Sequence, residues 1–219
     1  ILRWIFLTFI ILPFRPKKSA EAYKKIWTPE GSPLVVHTKA AAEKLQKKLG
    51  DSVYVDYAMR YQNPSIKNSL DRIRNQGLKK ITVLPLFPQY STAATESAAQ
   101  EVLNMLGDGV DPSDINILDE FYGHPAFIKA FAEVGRTALN DFEYDKILFS
   151  FHGIPMRQCI KVDVSKEGHC FKSDNCCDKI DESNKRCYRA QCYATANLLA
   201  ASLNLPDDKW EVSFQSRMG

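Results

Sequence analysis

From Ser32 onward the apolar residues recur at two alternating periods, one of three to four residues and one of two. The longer period predicts helices over Thr38–Leu49, stopped by Gly50, and over Pro64–Gln76, with Ile66, Leu70 and Ile73 on one face and Gly77 as the stop. It predicts further helices over Ala93–Leu106, Pro125–Asn140 and Lys185–Leu203. The shorter period, or a brief continuous apolar run, predicts strands over Ser52–Met59, Lys79–Phe87, Ile115–Asp119, Lys146–Phe151 and Trp210–Gln215. Strands that alternate with helices of this length imply βαβ units and a parallel sheet, so the fold class is α/β. Gly107-Asp108-Gly109 with Pro112 reads as a hinge between two lobes, residues 1–110 and 111–219. No close internal repeat is present, and no Gly-x-Gly-x-x-Gly points to a dinucleotide.

The first fourteen residues break this pattern. Ile1 to Phe14 is apolar except for Arg3 and Thr8, and is followed by Pro13 within it and by the basic run Arg15-Pro16-Lys17-Lys18. A membrane-spanning helix needs roughly 20 apolar residues, so the run is too short to cross a bilayer. It also lacks the layout of a secretory signal. Two readings stand: a buried helix, or an amphipathic lip that meets a membrane surface or an apolar ligand. The absence of an initiator Met, and an end at Arg217-Met218-Gly219 directly after a strand, predict a fragment of a longer protein.

Composition narrows the function classes. A net charge of +3, spread along the chain, makes no case for nucleic acid. Five of the six cysteines crowd between Cys170 and Cys192, whereas a secreted disulfide framework would spread them. A reducing, cytoplasmic compartment with a local cysteine site follows.

Chemistry-bearing residues gather where strands end. Met59-Arg60-Tyr61-Gln62, Pro88-Gln89-Tyr90-Ser91-Thr92, His152-Gly153 and Gln215-Ser216-Arg217 each follow a strand. Open α/β sheets bind ligands in the crevice at the carboxyl ends of their strands. Aromatic, arginine and histidine groups on one sheet edge suit a flat, anionic, aromatic ligand.

Five ordered motifs, Phe14-Arg15-Pro16-Lys17-Lys18-Ser19, Met59-Arg60-Tyr61, Leu86-Phe87-Pro88-Gln89-Tyr90-Ser91, Ser150-Phe151-His152-Gly153-Ile154-Pro155 and Ser213-Phe214-Gln215-Ser216-Arg217, resemble those of ferrochelatases from about residue 11 to the end. The resemblance implies two Rossmann-like chelatase lobes, both incomplete here, and insertion of Fe²⁺ into protoporphyrin IX to form protohaem. Metal insertion must remove two pyrrole protons and deliver a dehydrated divalent ion. Imidazole suits both tasks, with an unperturbed pKa near about 6.5 and a neutral form that ligates iron. His152 matches the family's active-site histidine, as metal ligand or proton acceptor. His124 stands where animal members carry a second histidine, and equally where a helix needs a cap. Arg15, Tyr23 and Ser32 align with porphyrin-contacting positions, and Arg60, Tyr61, Tyr90 and Ser91 complete the implied porphyrin site. The resemblance favours the lip for Ile1–Phe14 and a peripheral contact with the inner membrane. Two alternatives compete with the enzyme: a chelatase for another metal or tetrapyrrole, such as cobalt, and a porphyrin or haem carrier without turnover.

The segment 159–192 reads as an insertion. Cys170, Cys176, Cys177, Cys187 and Cys192 resemble the internal loop with which some bacterial ferrochelatases hold a [2Fe–2S] cluster from four thiolates. Zinc ranks second because the usual paired Cys-x2-Cys is missing, and disulfides third. Cys159 stands apart and reads as a plain thiol. One departure limits the implied site: the glutamate that partners the family's histidine belongs to a segment beyond the last motif here. These 219 residues alone are expected to be inactive, and the complete protein roughly a third longer, as a two-lobe size requires.

Overall fold

A computed structural model describes residues 20–106, 111–140, 143–165 and 168–216. The apolar Ile1–Phe14, Arg15, the hinge glycines Gly107 and Gly109, and Arg217 lie outside the described residues. The chain forms two compact units, divided between Leu78 and Lys79.

The first unit is built on two helices. Helix α1, Pro33–Leu49, begins five residues before the predicted start, because Ser32 takes an extended N-cap conformation and Pro33 sits where a helix lacks an N–H partner anyway. Helix α2, Ile66–Asn75, starts at Ser65, whose hydroxyl accepts from the Asn68 N–H at 3.2 Å. It buries Ile66, Ser69 and Leu70, and the chain turns at Gly77 with φ of 71°. The predicted strand Ser52–Met59 is not in a ladder: residues 53–58 belong to no sheet, and Met59 forms only an isolated parallel bridge to Ser65. A strand needs a partner's backbone groups, and here a side chain takes that role. The Gln46 amide donates to the carbonyls of Gly50 and Val53 and accepts from the Val55 N–H, each at 2.8 Å. Asp56 then accepts from Ser69 Oγ at 2.9 Å and from Arg72 Nε at 2.8 Å, fixing the segment to α2.

Among the described residues the second unit holds two parallel strand pairs and four α-helices. Strand β1, Ile81–Val83, pairs with β2, Ile115–Ile117, in the register Ile81↔Ile115 to Val83↔Ile117. The predicted strand Lys79–Phe87 is thus shortened. Pro85 and Pro88 supply no N–H to a ladder, and Leu84, Leu86 and Phe87 are left exposed. β1 and β2 pair across the point where the sequence places its lobe boundary. A π-helical turn, Thr92–Glu96, leads into helix α3, Ser97–Asn104. Helix α4, Pro125–Leu139, follows β2.

Strand β3, Ile147–His152, pairs with β4, Trp210–Gln215, from Ile147↔Trp210 to His152↔Gln215. Between them run the short helix α5, Met156–Lys161, a cysteine-bearing loop, and helix α6, Tyr188–Leu203. Helix α6 is buried nearly all round, through Ala190, Gln191, Cys192, Thr195, Ala196, Leu199 and Ala200. It ends at Asn204, in the left-handed conformation that asparagine tolerates. Ile128 and Ala132 of α4 pack on Leu199, with Phe127, Phe149 and Leu203 around them. Gly135 permits this approach, since a Cβ there would lie 3.4 Å from Leu203.

Two outcomes follow. Ala132→Leu forces extra volume into the filled α4–α6 seam and is expected to cost about 1–3 kcal/mol, read from denaturant midpoints. At Asp56, burial pushes the carboxyl up, but hydrogen bonds from Arg72, the Tyr57 N–H and Ser69 outweigh it and hold the group below its ordinary 3.8. Its folded value lies below the unfolded one, so its stabilisation is present above the ordinary value and is lost as pH falls through the folded value. Asp56→Asn should therefore lower stability at neutral pH and flatten the acid limb of a stability-against-pH curve.

Candidate active site and cysteine cluster

Two strand-end loops of the second unit meet on one helix, and a third joins them through a side-chain contact. After β1, Tyr90 donates its N–H to Gln191 Oε1 at 2.6 Å, and Gln89 Nε2 donates to Thr195 Oγ1 at 2.9 Å. After β2, the Tyr122 carbonyl lies 3.0 Å from the same Thr195 hydroxyl, and Asp119 pairs with Arg186 at the approach to α6. The Phe121 N–H also donates to the Pro88 carbonyl at 2.9 Å, joining the two loops directly. After β3, Gln158 on α5 accepts from Thr92 Oγ1 at 3.3 Å. Helix α6 supports the first two loops through Gln191 and Thr195, to which sequence reasoning assigned no role. Their polarity at helical spacing inside an apolar segment was the available signal.

His152 closes β3, opposite Gln215, with its side chain exposed. The next residue, Gly153, donates its N–H to the Gln215 carbonyl at 2.7 Å, so the ladder holds the backbone up to the edge where the imidazole projects. His124 is the N-cap of α4, and its Nδ1 accepts from the Ala126 N–H at 3.2 Å. That bond gives the ring a structural task.

The remaining sequence-predicted site residues fall into three groups. Arg15 is outside the described residues. In the first unit, Tyr23 is exposed, Ser32 is the α1 N-cap without a side-chain cap hydrogen bond, and Arg60 lies 4.8 Å from the ring centre of Tyr61, itself 72% exposed. In the second unit, Tyr90 and Ser91 are buried and engaged within the protein. Arg186 sits over the Tyr90 ring at 4.9 Å and Glu96 lies 3.3 Å from its hydroxyl. Burial first, and the Glu96 charge next, push that phenol up. Ser91 caps the π-helical turn by accepting from the Ala94 N–H at 3.2 Å.

The cysteines form a second focus, with one correction to the sequence reading. Cys159, expected to stand apart, is 3% exposed and belongs to the same buried cluster as Cys176, Cys177 and Cys187, with Cys170 packed on it. Helix α5, which the sequence pattern did not reveal, carries Cys159 back to the loop. The thiols of Cys159, Cys170 and Cys177 all turn toward the Cys187 sulfur. Cys159 and Cys177 hold Cys187 far below the ordinary thiol range against its burial, and the Ala190 and Arg189 N–H groups at the start of α6 add to this. Hydrogen bonding to Cys187 and burial push Cys159 and Cys177 up; burial and the Cys187 charge raise Cys170 to about 12. Cys192, fully buried and raised to about 12 by burial, lies outside the group. Arg189 Nη1 lies 3.6 Å from Cys177 Sγ and 3.8 Å from Cys176 Sγ.

Polar groups shape the loop around these sulfurs. The Asp163 carboxylate accepts from the N–H groups of Ser165, His169 and Cys170, at 2.9, 2.5 and 2.7 Å. The fully buried Asn184 amide donates to the carbonyls of Cys176 and Lys179. Among the described residues no three His, Cys, Asp or Glu side chains are arranged to hold one metal ion.

The ferrochelatase family model matches residues 1–219. A ferrochelatase of Coxiella burnetii (strain RSA 493 / Nine Mile phase I) is 42% identical over 219 residues, covering 100% of this chain and 60% of that protein. A ferrochelatase of Legionella pneumophila (strain Paris) is 41% identical over 217 residues, 99% of this chain and 63% of that protein. The chain spans about three-fifths of the length of these relatives. With a parallel α/β fold and a histidine at a strand's carboxyl end, matched along its whole length, the chain belongs to the ferrochelatase family.

Proposed function

We propose that the protein inserts Fe²⁺ into protoporphyrin IX, forming protohaem and releasing two protons. The observation that carries this is His152, exposed at the carboxyl end of β3 beside strand-end loops supported by α6. A neutral imidazole there can take a pyrrole proton or present a nitrogen lone pair to the incoming iron. Arg15, Tyr23, Ser32, Arg60 and Tyr61 are the porphyrin-facing residues of this reading, Arg15 and Arg60 as partners for propionates. Tyr90 and Ser91 act from behind, setting the shape of the β1 loop through Gln191 and the Ala94 cap. His124 is assigned to the α4 cap. The reading keeps two chelatase lobes, 1–110 and 111–219, supported by the order of the motifs.

The cysteine loop belongs to the same proposal. Cys159, Cys170, Cys177 and Cys187 would hold a [2Fe–2S] cluster, supported by the packing of Cys159, Cys177 and Cys187 in one buried group with Cys170 against it. Such a cluster supplies a one-electron redox centre, which metal insertion does not use. Among the described residues no helix is long and apolar enough to cross a membrane. A cytoplasmic protein touching the inner membrane through Ile1–Phe14 is the location that the apolar run supports.

The reaction is tested with the full-length protein, protoporphyrin IX and anaerobic Fe²⁺, following protohaem by absorbance. Turnover is expected with iron, and His152→Ala should lower it about 10²–10⁴-fold, as loss of a general base does. Porphyrin binding without turnover in the parent protein would replace the enzyme by a carrier, and turnover with Co²⁺ alone would replace the metal. The cluster is tested by the visible spectrum and by electron paramagnetic resonance after reduction. Cys159→Ala and Cys187→Ala should abolish the signal, while Cys192→Ala keeps it.

A further inference from the structure

We propose that Arg186 is a positioning residue for the porphyrin site, fixing the loop after β1 through the ring of Tyr90. The inference deepens the reading of the protein as an iron chelatase and rests on it. Arg186 belongs to the cysteine-bearing segment, one residue before the Cys187 that caps α6. Its guanidinium donates through Nη2 to the Asp119 carboxylate, two residues beyond the end of β2. The same guanidinium lies over the Tyr90 ring, 4.9 Å from the ring centre. One cation thus joins the end of the cysteine loop, the loop after β2 and the loop after β1. Arginine suits this place, because its planar group stacks on an aromatic face while its edge donates to a carboxylate.

Tyr90 is the residue through which the β1 loop is held. Its ring lies under Arg186, and its hydroxyl is 3.3 Å from Glu96. Its N–H donates to Gln191 at 2.6 Å, and the other end of that amide is bound to the carbonyl of Lys185. Lys185 and Arg186, adjacent in sequence, therefore address the backbone and the ring of one residue. What Tyr90 anchors is apolar surface. Leu86 and Phe87, just after β1, are 54% and 40% exposed. In the chelatase reading the face of the macrocycle covers them. The Arg186–Asp119 pair is half exposed, and such a pair adds little to global stability. Its effect is local: a loop already fixed loses less freedom when a ligand seats on it. None of these contacts involves His152, so the chemical step is left alone.

The test uses the full-length protein with Arg186→Met, Asp119→Asn and the double variant. Protoporphyrin IX binding is followed by fluorescence, and kcat and porphyrin KM by anaerobic Fe²⁺ insertion. Each single variant should raise KM and the porphyrin dissociation constant about three- to tenfold, with kcat changed less than about twofold. Melting temperatures should stay within about 3 °C of the parent. The double variant should be no worse than Arg186→Met, because both substitutions remove one shared contact. Unchanged KM in both single variants, additive effects in the double variant, or kcat and KM altered together with a lower melting temperature would overturn the positioning role. If the parent protein shows neither porphyrin binding nor turnover, the chelatase reading fails by itself. Hydrogen exchange of the Tyr90 amide still decides the local claim: faster exchange in Arg186→Met than in the parent supports it, and equal exchange overturns it.

Discussion

The buried amide of Gln191 is the interaction on which the second unit depends. Its side chain is wholly shielded from solvent, in the first turn of a helix whose buried face is otherwise mostly small and apolar. Its oxygen takes the Tyr90 N–H and its nitrogen the Lys185 carbonyl, both at 2.6 Å. A buried amide is costly when one end is unpaired and directive when both are satisfied. Here both ends are used, and the result is a fixed distance between the loop after β1 and the start of α6. Thr195, one turn later, repeats the device for Gln89 and the loop after β2. Loops that would otherwise drift at the sheet edge are thereby given defined places relative to His152.

Much of this architecture is written in local patterns. Trp210–Gln215 is a strand over the predicted residues, since alternation, aromatic content and a bounding Pro206 agree there. Pro125 after His124 marks the start of α4, because proline at the first helical position and a capping side chain before it reinforce each other. The failures have separate causes, a side-chain partner in one and a ladder-ending proline in the other. Ser52–Met59 has the alternation of a strand, yet Gln46 binds its backbone in place of a neighbour. Lys79–Phe87 has the composition of a buried strand, yet the ladder ends after Val83, just before Pro85.

The candidate site was legible to a different degree. His152 could be located because strand ends in α/β sheets are where ligands bind, and its surrounding motif is distinctive. What could not be read was support: nothing in a linear sequence says that Tyr90 and Ser91 turn inward while Tyr61 turns out. Cys159 illustrates the same limit. Eleven residues of separation from Cys170 suggested independence, but α5 folds it back so that its carbonyl lies 3.6 Å from Cys170 Sγ. Spacing rules work for ligands in one loop and fail when a helix returns the chain.

Cys187 has a position with a wider meaning than its place among the sulfurs. It is the residue from which α6 begins, and the free N–H groups of a helix start carry a partial positive charge. A thiolate there balances that charge, whereas a protonated, oxidised or alkylated sulfur does not. Chemistry at this one atom is also a change in the electrostatics of the helix that supports the loops after β1 and β2. Modification of this sulfur therefore changes the charge set against the first turn of the helix.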